Sequence, residues 1–207
     1  MAATRSLLAC VAISLAPACG DSDGTVIIGD PVGDTIADGQ ATGDSLADET
    51  FDELTGDDYA IVIGKTGSIL AALNDGEINQ ADFAIDGLIG DDIFEFANVL
   101  IVDHDDANFE LDNVVRFYGV GYIPSSTADS LTLEANAGIG ELRAAPPSEL
   151  DFVFVDLQVR MHAAAQIVLD ELYTQVGPGV MGDVILDTQD MIDAHLAEAA
   201  DLLATFY

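Results

Sequence analysis

The chain has 207 residues, 38 of them acidic and 5 basic, for a formal net charge of −33 at pH 7. Half of its residues are hydrophobic, enough for a packed domain, which excludes a wholly disordered acidic chain. Five scattered Lys and Arg cannot build the basic surface that nucleic acid or an anionic membrane requires, so neither is expected as a partner of the folded part.

Residues 1–18 read as a signal peptide. A single Arg5 is followed by the small, apolar run Leu7–Ala18, and a polar region opens at Gly20-Asp21. That run is too short to span a bilayer, which needs about 20 residues. Ala16-Pro17-Ala18-Cys19 resembles a bacterial lipobox, although Ala16 stands where Leu is usual. On this reading Cys19 is lipidated and begins the mature chain. The rival reading is ordinary cleavage after Ala18, which leaves a free thiol. Cys10 leaves with the signal either way, so no internal disulfide is expected.

Residues 19–58 read as an extended, disordered acidic tether. Gly20–Asp58 holds twelve acidic residues and no basic one, and like charges keep such a segment extended. No window has the Gly at position six and Glu at position twelve of an EF-hand, so the Asp tract is not a calcium loop.

From Tyr59 to Tyr207 the apolar residues take up helical spacing. The first segment, about Gly67–Leu88, aligns Leu70, Leu73, Glu77, Ala81, Ala84 and Leu88 on one face. The second, about Asp91–Tyr118, aligns Ile93, Ala97, Leu100, His104, Ala107, Leu111 and Val114. Residues 119–147 form a long connection with room for a short helix near Thr127–Leu142, and they leave the relative direction of the two helix pairs open. After Pro146-Pro147 a third segment aligns Val155, Gln158, His162, Ala165, Leu169 and Leu172. Beyond Gly177-Pro178-Gly179, a fourth aligns Met181, Val184, Thr188, Met191, His195, Ala199 and Leu202. Four long helices with apolar seams predict an all-α fold: a ferritin-like four-helix bundle with a long connection between the second and third.

The three histidines fall on the seams of three different long helices, and Glu77 falls on the seam of the fourth. At about 1.5 Å per residue each lies roughly 18–24 Å from a helix end, so all four share a level near the middle of the bundle. One carboxylate and three neutral imidazoles suit a transition metal such as Fe, Zn, Cu or Ni. The competing reading is a buried hydrogen-bonded layer in a structural or interaction bundle without metal. The di-iron pattern of Glu-x-x-His on two helices is absent, because Ile101, Val159 and Ile192 stand three residues before the histidines. Asp103, Asp105, Asp106 and Glu198 are either hydrogen-bond acceptors that orient the rings or solvated helix edges. Gly64-Lys65-Thr66 imitates the end of a P-loop, but Tyr59 occupies the position of its first Gly, so no nucleotide is expected. No catalytic residue is assigned.

The run Phe96–Asn108 (FANVLIVDHDDAN), the pair Met161-His162 and Ala194-His195-Leu196 resemble domain-of-unknown-function family 4142, over about Gly67–Phe206. The resemblance implies an exported bacterial protein with a ferritin-like bundle, of a kind often labelled outer-membrane protein. It also implies a Glu at the position of Glu77 in the first helix, and it implies no activity. The expectation is a lipid-anchored protein of the cell envelope, facing the periplasm or in the outer membrane, that touches the membrane only through its N-terminal lipid.

Overall fold

Five α-helices form the regular structure of residues 56–207, the part of the chain that the computed structural model describes: α1 (Gly56–Ile85), α2 (Asp91–Phe117), α3 (Ser126–Ala144), α4 (Leu150–Val176) and α5 (Val180–Ala204). No strand occurs among the described residues. The signal segment, Cys19 and the tether as far as residue 55 lie outside them.

α1 starts well before the expected Gly67 and takes in the end of the segment read as tether. Gly64 and Gly67 look like breakers in the sequence, yet both lie inside the helix. A Cβ on Gly64 would sit 2.7 Å from the Gly121 carbonyl oxygen and 2.7 Å from the Ile123 side chain. The residue is small because the α2–α3 connection crosses there in contact with α1. The Ile123 amide donates to the Gly64 carbonyl at 2.9 Å, and the Ser68 hydroxyl donates to the Ile123 carbonyl at 2.6 Å. That packing offsets the roughly 0.5–1 kcal/mol that glycine costs a helix.

The short helix expected in the long connection is α3, and it settles the direction of the two helix pairs. α3 starts beside the N-terminal half of α1 and runs down it, so that Ala135 meets Gly76 and Gln80. It delivers the chain to the far end, where Asp151 in the first turn of α4 accepts hydrogen bonds from the Ile89 and Gly90 amides at 3.0 and 2.9 Å. α4 therefore starts at the end where α2 starts and runs parallel to it. α1 and α2 are antiparallel neighbours, as are α4 and α5, with α2 against α5 and α1 against α4. One crossover joining two antiparallel hairpins is the ferritin-like arrangement. Gly177 (φ +70°) and Gly179 (φ +139°) make the tight turn into α5, a backbone region that L side chains rarely adopt.

α3 covers α1 and α4 and is held by two of the few cations. Arg160 of α4 bonds Glu141 of α3 at 2.6 Å, and the Arg143 guanidinium of α3 stacks over Phe83 of α1 at 5.3 Å. α4 is long and apolar enough to cross a membrane by length and composition, but Phe154, Val155, Leu157 and Leu169 from it are fully buried in the bundle core. That core has an apolar cluster around Phe96, Leu100 and Phe154, and Leu70, Leu111, Leu169 and Ile185 are fully buried further along α1, α2, α4 and α5. Between them lies a buried polar layer of Asn74, Glu77, Gln80, His104, Gln158, His162 and His195.

Candidate metal centre

The crossover determines which helices face each other at the polar layer, and it brings the three histidines together. His104 on α2, His162 on α4 and His195 on α5 have ring centroids 5.4–6.0 Å apart, and all three are buried. One ligand atom from each lies within 4.8 Å of the others. An ion held at about 2.0–2.1 Å by imidazole nitrogens needs them roughly 3.4 Å apart, so small side-chain shifts of about 1 Å suffice. The three histidines are close enough to hold a metal ion.

Each ring uses one nitrogen as an anchor and leaves the other unpartnered. His104 donates from Nδ1 to Asn74 Oδ1 at 3.1 Å, and His162 donates from Nδ1 to the Gln158 carbonyl at 2.9 Å. His195 donates from Nε2 to Asp103 Oδ2 at 2.9 Å. All three acceptors are oxygens, so the anchored nitrogens carry the protons and the tautomers are determined. His104 Nε2, His162 Nε2 and His195 Nδ1 are then bare lone pairs, buried and without a hydrogen-bond partner among the described residues. This is the division of labour of metal-bound imidazoles, one nitrogen oriented by an acceptor and the other free to ligate.

The anchors are themselves supported. Asn74 donates to Asn108 Oδ1 at 3.0 Å, and Asn108 donates to Asp75 Oδ1 at 2.8 Å, a chain that ends on an exposed carboxylate and so fixes both amide orientations. On the α4 side, Gln158 donates to Gln80 and Gln80 to the Ala135 carbonyl, each at 3.2 Å.

Glu77 stands beside the trio. Its Oε1 lies 3.9 Å from His162 Nδ1, the anchored nitrogen, and its Oε2 is unpartnered. Burial pushes its carboxyl up to about 8, so it holds its proton at neutral pH. Burial holds His162 down to about 4, opposed by its bond to the Gln158 carbonyl and reinforced by His195. His104 is held well below its ordinary value by burial first, then by His162 and His195. Glu77 and His162 therefore meet as two neutral groups at pH 7. The His104 and His162 imidazoles are in the neutral form that binds cations. A small cavity of about 10 Å³, room for about one water, borders Glu77 between α1, α3 and α4.

Of the acids flanking the histidines in sequence, Asp103 orients a ring, and the ring belongs to His195 on α5 rather than to its neighbour His104. Asp105, Asp106 and Glu198 are exposed. Asn74, Gln80 and Asn108 are supporting residues that sequence reasoning passed over. The available signal was spacing: Asn74 and Gln80 lie one turn either side of Glu77, and Asn108 one turn beyond His104.

No curated protein and no solved structure matches this sequence. A family model does match, over residues 65–202, with the description "Domain of unknown function (DUF4142)". The matched stretch covers all three histidines, Glu77, Asp103 and Asn108. The chain belongs to the DUF4142 family.

Proposed function

We propose that the bundle binds one divalent transition-metal ion, of the Fe, Zn, Cu or Ni class, through His104, His162 and His195. The observation that carries this reading is the set of three buried, unpartnered imidazole nitrogens on rings whose other nitrogens are anchored. A polar layer that served only to set helix register would gain by pairing its buried atoms, since each unpaired one costs about 1–3 kcal/mol. Here five side-chain atoms of that layer are unpaired.

Charge balance gives Glu77 and Asp103 their parts. A dication on three neutral imidazoles brings two positive charges into an apolar core. Asp103 supplies one negative charge through His195, and Glu77, once it gives up its proton, supplies the second beside His162. Glu77 completes or bridges the site, and a fourth position remains for that carboxylate or for water. The same proposal places the bundle at the cell envelope, tethered through a lipid on Cys19; its support is the Leu7–Cys19 sequence.

The test is elemental analysis of the purified full-length chain after exposure to Fe, Zn, Cu and Ni and dialysis. About one ion per chain is expected, and none in a His104→Ala/His162→Ala variant whose helix content is verified by circular dichroism. An unmodified chain without stoichiometric metal would falsify the proposal.

A further inference from the structure

A cleft of about 200 Å³ runs between α2 and α5, lined by Asp103, Asp106, Glu110, Asp187, Thr188 and Met191 among others. Four of these are carboxylates, and neither lysine nor arginine lines the cleft. An acidic surface is unremarkable on this chain; the connection of this one is not. Asp103 lines the cleft with a half-exposed side chain and at the same time holds buried His195 at 2.9 Å. Behind that contact, His195 carries one of the three unpartnered buried nitrogens. The other two anchors, Asn74 and the Gln158 carbonyl, face protein on the α1 and α4 sides. Asp103 is the only anchor exposed to a solvent-filled space.

We propose that the α2–α5 cleft is the loading vestibule of the histidine site, with Asp106, Glu110 and Asp187 drawing in hydrated divalent cations and the Asp103–His195 pair forming the inner wall that they pass to reach the bare Nδ1 behind it. The proposal rests on the metal reading above and adds the path and the residues that control its rate. A recess lined by one sign of charge raises the local concentration of its counter-ion and the on-rate with it, by an amount that falls as salt rises. The hydrogen-bond partners of the three rings are Asn74, the Gln158 carbonyl and Asp103 and none of the rim carboxylates, so the rim acts on arrival and not on retention. Asp103 belongs to both steps, as the innermost carboxylate of the cleft and the anchor of a ligand.

The experiment is stopped-flow loading of the full-length chain with Zn²⁺, using a chromophoric chelator to follow both association and release. Three proteins are compared: the unmodified chain, the rim variant Asp106→Asn/Glu110→Gln/Asp187→Asn, and a control variant Asp82→Asn/Asp129→Asn/Glu134→Gln that removes the same charge from α1 and α3. At low ionic strength the rim variant is expected to load on the order of tenfold more slowly. Its release rate should stay within about twofold of the unmodified chain, and the gap in loading rate should close near 1 M salt. Equal loading by the rim variant and the unmodified chain, or equal slowing by the control, overturns the vestibule while leaving the metal site standing. If the unmodified chain takes up no stoichiometric Zn²⁺, Fe, Cu or Ni at equilibrium, the metal reading falls and the vestibule with it.

Discussion

His195 Nε2 lies 2.9 Å from Asp103 Oδ2, a bond across 92 residues of sequence that ties α5 to α2 at the level of the three histidines. Carboxylate–imidazole pairs of this kind fix the ring and raise its basicity toward a metal, and removing the carboxylate typically costs 10–100-fold in affinity. Asp103→Ala is therefore expected to weaken Zn²⁺ binding by about that factor in a chelator competition assay. Asp103→Asn, whose amide oxygen can still accept the His195 proton, should lose less. Equal affinities for all three proteins would show that the contact does not support the site.

The buried titratable groups give the metal-free protein opposing pH dependences. His162 has a folded value of about 4 against about 6.5 when unfolded, so the unfolded chain binds more protons between those limits. Its contribution is present above about pH 6.5 and is lost as pH falls toward 4. His104 acts in the same direction. Glu77, raised from 4.5 to about 8, does the reverse: its contribution is present below about 4.5 and is lost as pH rises through 8. In urea titrations with chelator present, Glu77→Gln should gain on the unmodified chain by about 1.4 kcal/mol per pH unit across that window. A difference that does not change with pH would contradict a protonated, buried Glu77.

Gly64 marks the closest approach of the crossover to α1. Gly64→Ala places a methyl group 2.7 Å from the backbone oxygen of Gly121, which cannot rotate away as a side chain would. The expected loss is about 1–3 kcal/mol, read as a lower urea midpoint. Gly140→Ala is the contrast, because a Cβ there meets nothing within 4 Å. It should be neutral or stabilising, by up to about 1 kcal/mol.

Asp151, where the crossover delivers the chain into α4, ties that end to the α1–α2 turn by accepting from the Ile89 and Gly90 amides. Asp151→Ala leaves both donors to water and removes a charge favourable to two helix N-termini. A loss of about 1–2 kcal/mol is expected, with unfolding still cooperative. Midpoints unchanged within error would mean that the contact holds nothing in place.

For the N-terminal reading, intact-mass analysis of the membrane-extracted protein should find a chain that begins at Cys19 and carries lipid. Cys19→Ser should release it into the soluble envelope fraction. A free thiol on Cys19 would favour simple cleavage.

The amino-acid sequence by itself determined that the protein is helical, where four of its helices lie and which residues form their seams. These follow from local spacing, since a 3.6-residue period repeated over 25 or more residues admits one reading. It also marked His104, His162, His195 and Glu77 as polar residues on apolar faces, and a common level followed from counting residues between breaks. The start of α1 was not legible, because Gly64 and Gly67 are breakers by propensity and helical only through contact with a crossover more than fifty residues away. The direction of α4 depended on where α3 delivers the chain, and α3 is held by side-chain and close-packing contacts that carry no periodic signal. The same distinction governs the site. Asp103 adjoins His104 in sequence yet serves His195, because consecutive residues on a helix point about 100° apart while facing helices bring distant ones into register. Which nitrogens are anchored and which are bare is a property of contacts between helices, and only the tertiary structure could decide it.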